Sequence, residues 1–145
     1  MKLSEYITID EVKKVCKELK IRDWTGLREP IVLPEEAQLI LEIVNTKGMN
    51  INLEDFRKGL EVELEHGTRF ADANVTNNHP ILTGKIVLAH LKETLDYYKR
   101  IDIAELEGDL LKAILEQDMV KVKSKYQKLV NAQVLLSRTI AEQLQ

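Results

Sequence analysis

The sequence predicts an all-α protein: an irregular bundle of five or six helices with a central antiparallel helical hairpin. Three observations carry this. Apolar residues recur at intervals of three and four in successive segments, capping signatures open those segments, and strand-like alternation is weak. The 145 residues suit one helical domain, 1–145, large enough for a real core. A composition of 44% hydrophobic and 31% charged residues is that of a globular chain. Within it, 52–100 is expected to form the hairpin and 102–145 the C-terminal helices.

Thr8 and Glu11 have capping-box spacing, and Val12, Val15, Cys16 and Leu19 follow at helical intervals. Cys16 falls in that apolar stripe and reads as a small core residue rather than a nucleophile. The stretch 21–33 holds Trp24, Gly26 and Pro30 without a period, so it reads as a connector that packs its indole on the bundle. Pro34, Glu35 and Glu36 open a second helix, buried through Ala37, Ile40, Leu41 and Val44 and ended by Gly48. Asn52 and Asp55 begin a third, carrying Phe56, Leu60 and Leu64, with Gly67 as its stop.

The polar loop 68–79 is rich in Asn, Asp and Thr, which satisfy backbone groups locally, so it is expected to be ordered. Pro80 starts a fourth helix expected to run to about Arg100. It is apolar on two faces, with Lys85, Lys92, Asp96 and Lys99 as a narrow wet strip, which places it at the centre. Gly84 on its apolar side permits close helix approach, and Thr83-Gly84-Lys85 lacks the upstream glycines of a phosphate loop. Asp102 and Glu105 repeat the capping-box spacing before a fifth helix, and Asp118 caps a sixth. There Val122, Tyr126, Leu129, Gln133, Leu136 and Ile140 form a near-heptad stripe. That stripe either packs inside the molecule or joins two copies in a homodimer.

Lysine and arginine, 21 in all, are interspersed with 24 acidic residues for a net charge of −3, so no general nucleic-acid binding is expected. One cysteine excludes internal disulfides and cysteine-rich zinc modules. The first residues, MKLSEYITIDEVKK, have no apolar segment, and no apolar run approaches bilayer length. A cytoplasmic protein with no membrane partner is therefore expected. The Asn74-Val75-Thr76 sequon then reads as loop chemistry.

One constellation carries potential chemistry. Glu63 and His66 lie three apart on the third helix, and His90 and Glu93 three apart on the fourth, so each pair shares a face. Two such helices packed antiparallel bring together up to four ligands in the manner of helical-bundle sites for Fe, Mn or Zn. Tyr97 is then a supporting neighbour, and His79, before Pro80, is either a third imidazole or an N-terminal cap. The alternative to a transition metal is a buried Glu–His–Tyr hydrogen-bond network that fixes helix packing.

The strings GLEVELEHG from Gly59, NVTNNHPILTGKIVLAHLKE from Asn74 and DYY from Asp96 resemble the signature of a family of small uncharacterised bacterial, archaeal and phage proteins, classed as a domain of unknown function. The resemblance covers 52–100. Glu63, Glu65, His66, His90 and Glu93 match its recurring positions. Relatives usually carry two acids before the proline and Phe-Pro before the Asp-Tyr-Tyr, where this chain has Asn78, His79, Thr94 and Leu95. The resemblance implies no reaction.

Two functional expectations follow. The first is a non-enzymatic structural or interaction protein whose partner is another protein or itself through the last helix. The second is a metal-binding bundle with Glu63, His66, His90 and Glu93 as ligands, redox-active with a suitable metal.

Overall fold

A computed structural model describes residues 7–145, and the described part is helical with no strand. Six α-helices follow one another: α1 (Ile9–Leu19), α2 (Pro34–Val44), α3 (Leu53–Arg69), α4 (Pro80–Glu93), α5 (Tyr97–Leu115) and α6 (Met119–Gln143). Short 3-10 turns occur at Trp24–Gly26 and Ala71–Ala73. None of these helices is long and apolar enough to cross a membrane. Residues 1–6, where the reading of the amino terminus began, lie outside the described residues.

The chain divides into two compact units, Met1–Leu95 and Asp96–Gln145. In the first, α4 packs on α1, α2 and α3, which gives it the central place its two apolar faces required. The crossing with α2 depends on Gly84. A Cβ there would stand 2.5 Å from Ile40 Cγ2 and 3.3 Å from Val44 Cγ1, so only glycine lets the two helices meet at this depth. Around it Val12, Trp24, Ala37, Ile40, Phe56, Leu60 and Val87 are completely buried. The second unit is a helical hairpin, α5 turning back through residues 116–118 into α6, with Gln117 left-handed at φ 57°.

Local chemistry accounts for most helix starts. Thr8 Oγ1 accepts from the Glu11 N–H at 3.2 Å, and Asp118 Oδ1 accepts from the Lys121 N–H at 3.0 Å. On α3 the cap is Asn52 alone, whose Oδ1 accepts from the Glu54 and Asp55 N–H groups. Three boundaries differ from the sequence reading. α2 ends at Val44, and Gly48 serves the turn beyond at φ 65°. α3 continues through Gly67 to Arg69.

The long fourth helix is in fact two. Thr94 is extended at φ −159° and breaks it, and Asp96 then starts α5, taking Arg100 Nε and Nη2 on its two oxygens at 2.9 Å each. Asp96 is 1% exposed where a wet-strip residue was expected, and Leu95 lies on the surface. Asp102, expected to cap the fifth helix, instead lies inside it.

The connector before α2 is fixed by a buried ion pair. Glu36, 2% exposed, accepts from Arg22 Nε at 2.9 Å and Nη2 at 2.6 Å, and from the backbone N–H groups of Arg22 and Leu33 at 3.1 Å. Burial alone would raise its carboxyl, but Arg22 and the two amides outweigh that and hold it below the ordinary carboxylate range. The sequence reading gave Glu36 only a helix-dipole role. Its fork with Arg22, whose Nη2 also donates to Ile31 O at 2.7 Å, closes the whole 22–36 segment.

Glu36→Ala should cost about 3 kcal/mol of unfolding free energy, because it leaves buried donors unmet, and Arg22→Ala less, since the guanidinium is 38% exposed. The sign with pH follows from a folded pKa below the unfolded one: the Glu36 contribution is complete above about pH 4.3 and declines as pH falls through the lowered folded value. Urea midpoints against pH should show this acid-limb loss in the native chain and not in Glu36→Gln. Parallel curves would refute the assignment.

Candidate functional site

The site is assembled from the segments that carry the sequence strings. α3 presents Glu63, His66 and Gly67; the 70–79 loop presents Phe70, Ala73, Asn74, Val75 and Thr76; α4 presents Thr83 and Ile86. Together they line a cleft of about 270 Å³. The loop is held in place by its asparagines. Asn77 and Asn78 are both left-handed, at φ 49° and 62°, a conformation asparagine tolerates better than other side chains with a Cβ.

Asn77 Nδ2 donates to Ile7 O at 2.6 Å. Buried Asn78 donates to Trp24 O at 3.2 Å and accepts from Asn74 Nδ2 at 3.1 Å, and its backbone N–H donates to Thr76 Oγ1. The Asn74-Val75-Thr76 triplet thus does the loop work expected of it. Gly67 stays helical because the loop seats on it: a Cβ there would lie 1.9 Å from Asn78 Oδ1 and 2.7 Å from Asn74 Nδ2.

The two helices bring three of the four proposed ligands together. Glu63 Oε2 is 3.8 Å from His66 Nδ1, and Glu63 Oε1 is 3.6 Å from His90 Nε2. Both separations exceed a hydrogen bond and act as charge contacts once an imidazole is protonated. The Glu63 side chain is 14% exposed, His90 30% and His66 66%. Glu93, the last residue of α4, is exposed. Tyr97 lies past the break, at the start of α5 in the second unit, with its ring edge-on to Tyr98 at 5.2 Å. No group of three or more His, Cys, Asp or Glu side chains arranged to hold a metal ion occurs among the described residues.

His79 is the N-cap of α4. Its Nδ1 accepts from the Ile81 and Leu82 N–H groups at 3.2 and 3.4 Å, which requires a neutral ring, and burial pushes its pKa below the ordinary value. Cys16 is 2% exposed, and burial pushes its thiol up, as a core residue should behave. The sequence reading missed the cleft itself. The signal was the placing of ELEHG, NVTNN and PILTG, which flank one turn of loop between two helices.

A model of the family described as "Protein of unknown function (DUF5661)" matches residues 12–107. The match reaches well beyond 52–100 on the amino-terminal side, ends shortly past it on the other, and takes in the entire cleft. No curated protein and no solved structure matches the chain.

The His79 cap should titrate. Its folded pKa lies below the unfolded value near 6.5, so the unfolded chain protonates first on acidification. The cap's contribution is complete above that pH and falls away as pH drops through the folded value. His79→Asn should keep the cap and abolish this dependence, while His79→Ala should cost about 1 kcal/mol at neutral pH. Thermal melts of the three chains between neutral and mildly acidic pH provide the check, and an unchanged pH slope in His79→Asn would contradict it.

Proposed function

Because the chain belongs to this family of proteins of unknown function, we propose its role from its surfaces: it is a non-enzymatic interaction protein that self-associates through the α5–α6 hairpin. The observation that supports this is how little the hairpin buries. Along α5 and α6 only Tyr98, Ala113 and Leu129 are buried apolar residues, while Leu111, Ile114, Leu115, Met119, Val120, Tyr126, Val130, Val134 and Leu135 are exposed. Two helices cannot enclose a core by themselves, and the stable solution is a second layer.

The hairpin is also two-sided. Val122, Leu129, Leu136 and Ile140 turn toward α5, and Met119, Tyr126, Val130 and Val134 occupy the adjoining arc of α6. Its other side is mixed, with Asp102, Lys128 and Asn131 near the Lys125–Asp109 bond of 2.6 Å and Leu106, Ala132 and Leu135 among them. Met119, Tyr126, Val130 and Val134, with Ile114 of α5, leave this arc apolar and exposed, the kind of surface a partner covers, and a specific interface buries about 800 Å² per partner. A second copy is the occupant that fits, since two identical hairpins stacked through this arc about a two-fold axis complete a four-helix arrangement.

Sedimentation or light scattering should give twice the chain mass at micromolar concentration, and Tyr126→Glu with Val130→Glu should give a monomer of unchanged helicity. A native chain that stays monomeric at high micromolar concentration would defeat the proposal.

A further inference from the structure

The cleft between α3, the 70–79 loop and α4 is chemically one-sided. At about 270 Å³ it holds roughly nine waters' worth of volume, room for a small organic molecule and below the usual range for drug-sized ligands. Glu63 is the one carboxylate in its wall, and no lysine or arginine lines it. An anion entering it would meet that carboxylate, with His66, 3.8 Å from Glu63, as the one side chain in the wall able to turn cationic. A cation would meet that carboxylate in a half-buried setting, where a charge pair is stronger than in bulk water.

Two further features sharpen the ligand's chemistry. Thr83, 3% exposed, lines the cleft and donates its hydroxyl proton to His79 O at 2.9 Å, so its oxygen has only acceptor capacity left for a ligand. An ammonium group, with three N–H donors, matches a carboxylate plus a hydroxyl acceptor better than a hydroxyl or carboxylate ligand would. The remaining wall sets Ile86 on α4 and Phe70, Ala73 and Val75 from the loop beside the polar His66, Asn74 and Thr76. Phe70 and Val75 are exposed without a ligand and would be partly covered by one.

We propose that this cleft binds a small primary amine, with the ammonium held at Glu63 and Thr83 and a short aliphatic body laid against Ile86, Val75 and Phe70. Glu63 is thereby assigned as the recognition residue, and the asparagine-locked loop as the wall that sets ligand length. The site lies wholly in the first unit, so it stands apart from self-association through the hairpin.

The test is a methyl NMR titration of the full chain with n-butylamine, n-butanol and butyrate, three ligands of one size and different charge. Butylamine should shift the Ala73, Val75 and Ile86 methyls with a Kd of about 1 mM or tighter, butanol should bind at least about tenfold more weakly, and butyrate should leave them unmoved. Glu63→Gln should weaken butylamine by about tenfold or more. If that variant does not fold, the three-ligand comparison on the native chain decides alone. Equal binding of amine and alcohol overturns the proposal, as does an absence of methyl shifts with amine. So does zinc chloride moving the His66 and His90 ring signals in slow exchange while butylamine fails to compete, which would return the site to a metal.

Discussion

One buried carboxamide, Asn78, sets the geometry on which the first unit depends. Its Nδ2 is bonded to the Trp24 carbonyl and its Oδ1 to Asn74, and it presses against α3 where Gly67 leaves no Cβ. Three chain segments distant in sequence are thereby fixed to one another through a single side chain. The left-handed backbone at Asn77 and Asn78 then delivers His79 to the mouth of α4 in the extended conformation an N-cap needs. A carboxylate at 78 would still accept from Asn74 but would offer the Trp24 carbonyl no donor, placing two acceptors face to face in a buried setting. The loop's polarity is therefore structural, and the cleft is a consequence of where it must run.

A second constraint acts on the segment before α2, which has almost no regular structure. Its order comes from both ends of one ion pair and from the completely buried indole between them. Trp24 Nε1 has no hydrogen-bond partner among the described residues, so the ring is held by packing. Glu36 compensates for its own burial with four donors, the condition under which a buried carboxylate stays charged and specific. Helix geometry alone would have left 21–33 loose; charge and aromatic burial make it part of the core.

Periodicity carried much of this fold into view from sequence, and its failures share a cause. The helix starts at Thr8 and Asp118, the burial of Ala37, Ile40, Leu41 and Val44, the core role of Cys16 and the close approach at Gly84 follow from spacing and residue size. Where glycine was taken as a stop, at Gly48 and Gly67, the decisive fact was tertiary: one serves a turn after the helix has ended, the other a loop seated on a continuing helix. The break at Thr94 was hidden because the apolar pattern runs across it, while the Asp96–Arg100 pair that restarts the helix is a contact periodicity does not weigh. Spacing also placed Glu63, His66 and His90 together, and it carried Tyr97 along on the same helix only because it assumed that helix unbroken.

The two surfaces proposed for function differ in kind, which is why they need not serve one partner. The cleft is concave, carries the Glu63 carboxyl group and is walled by residues that all lie within the 12–107 family match. The hairpin face is open and apolar, and most of it lies beyond residue 107, including the whole of α6. The family match thus takes in the whole cleft and only the first part of α5, so the two surfaces are to be tested separately. Any common account of both must supply an energetic coupling between the units, an element with two arrangements that both surfaces bias.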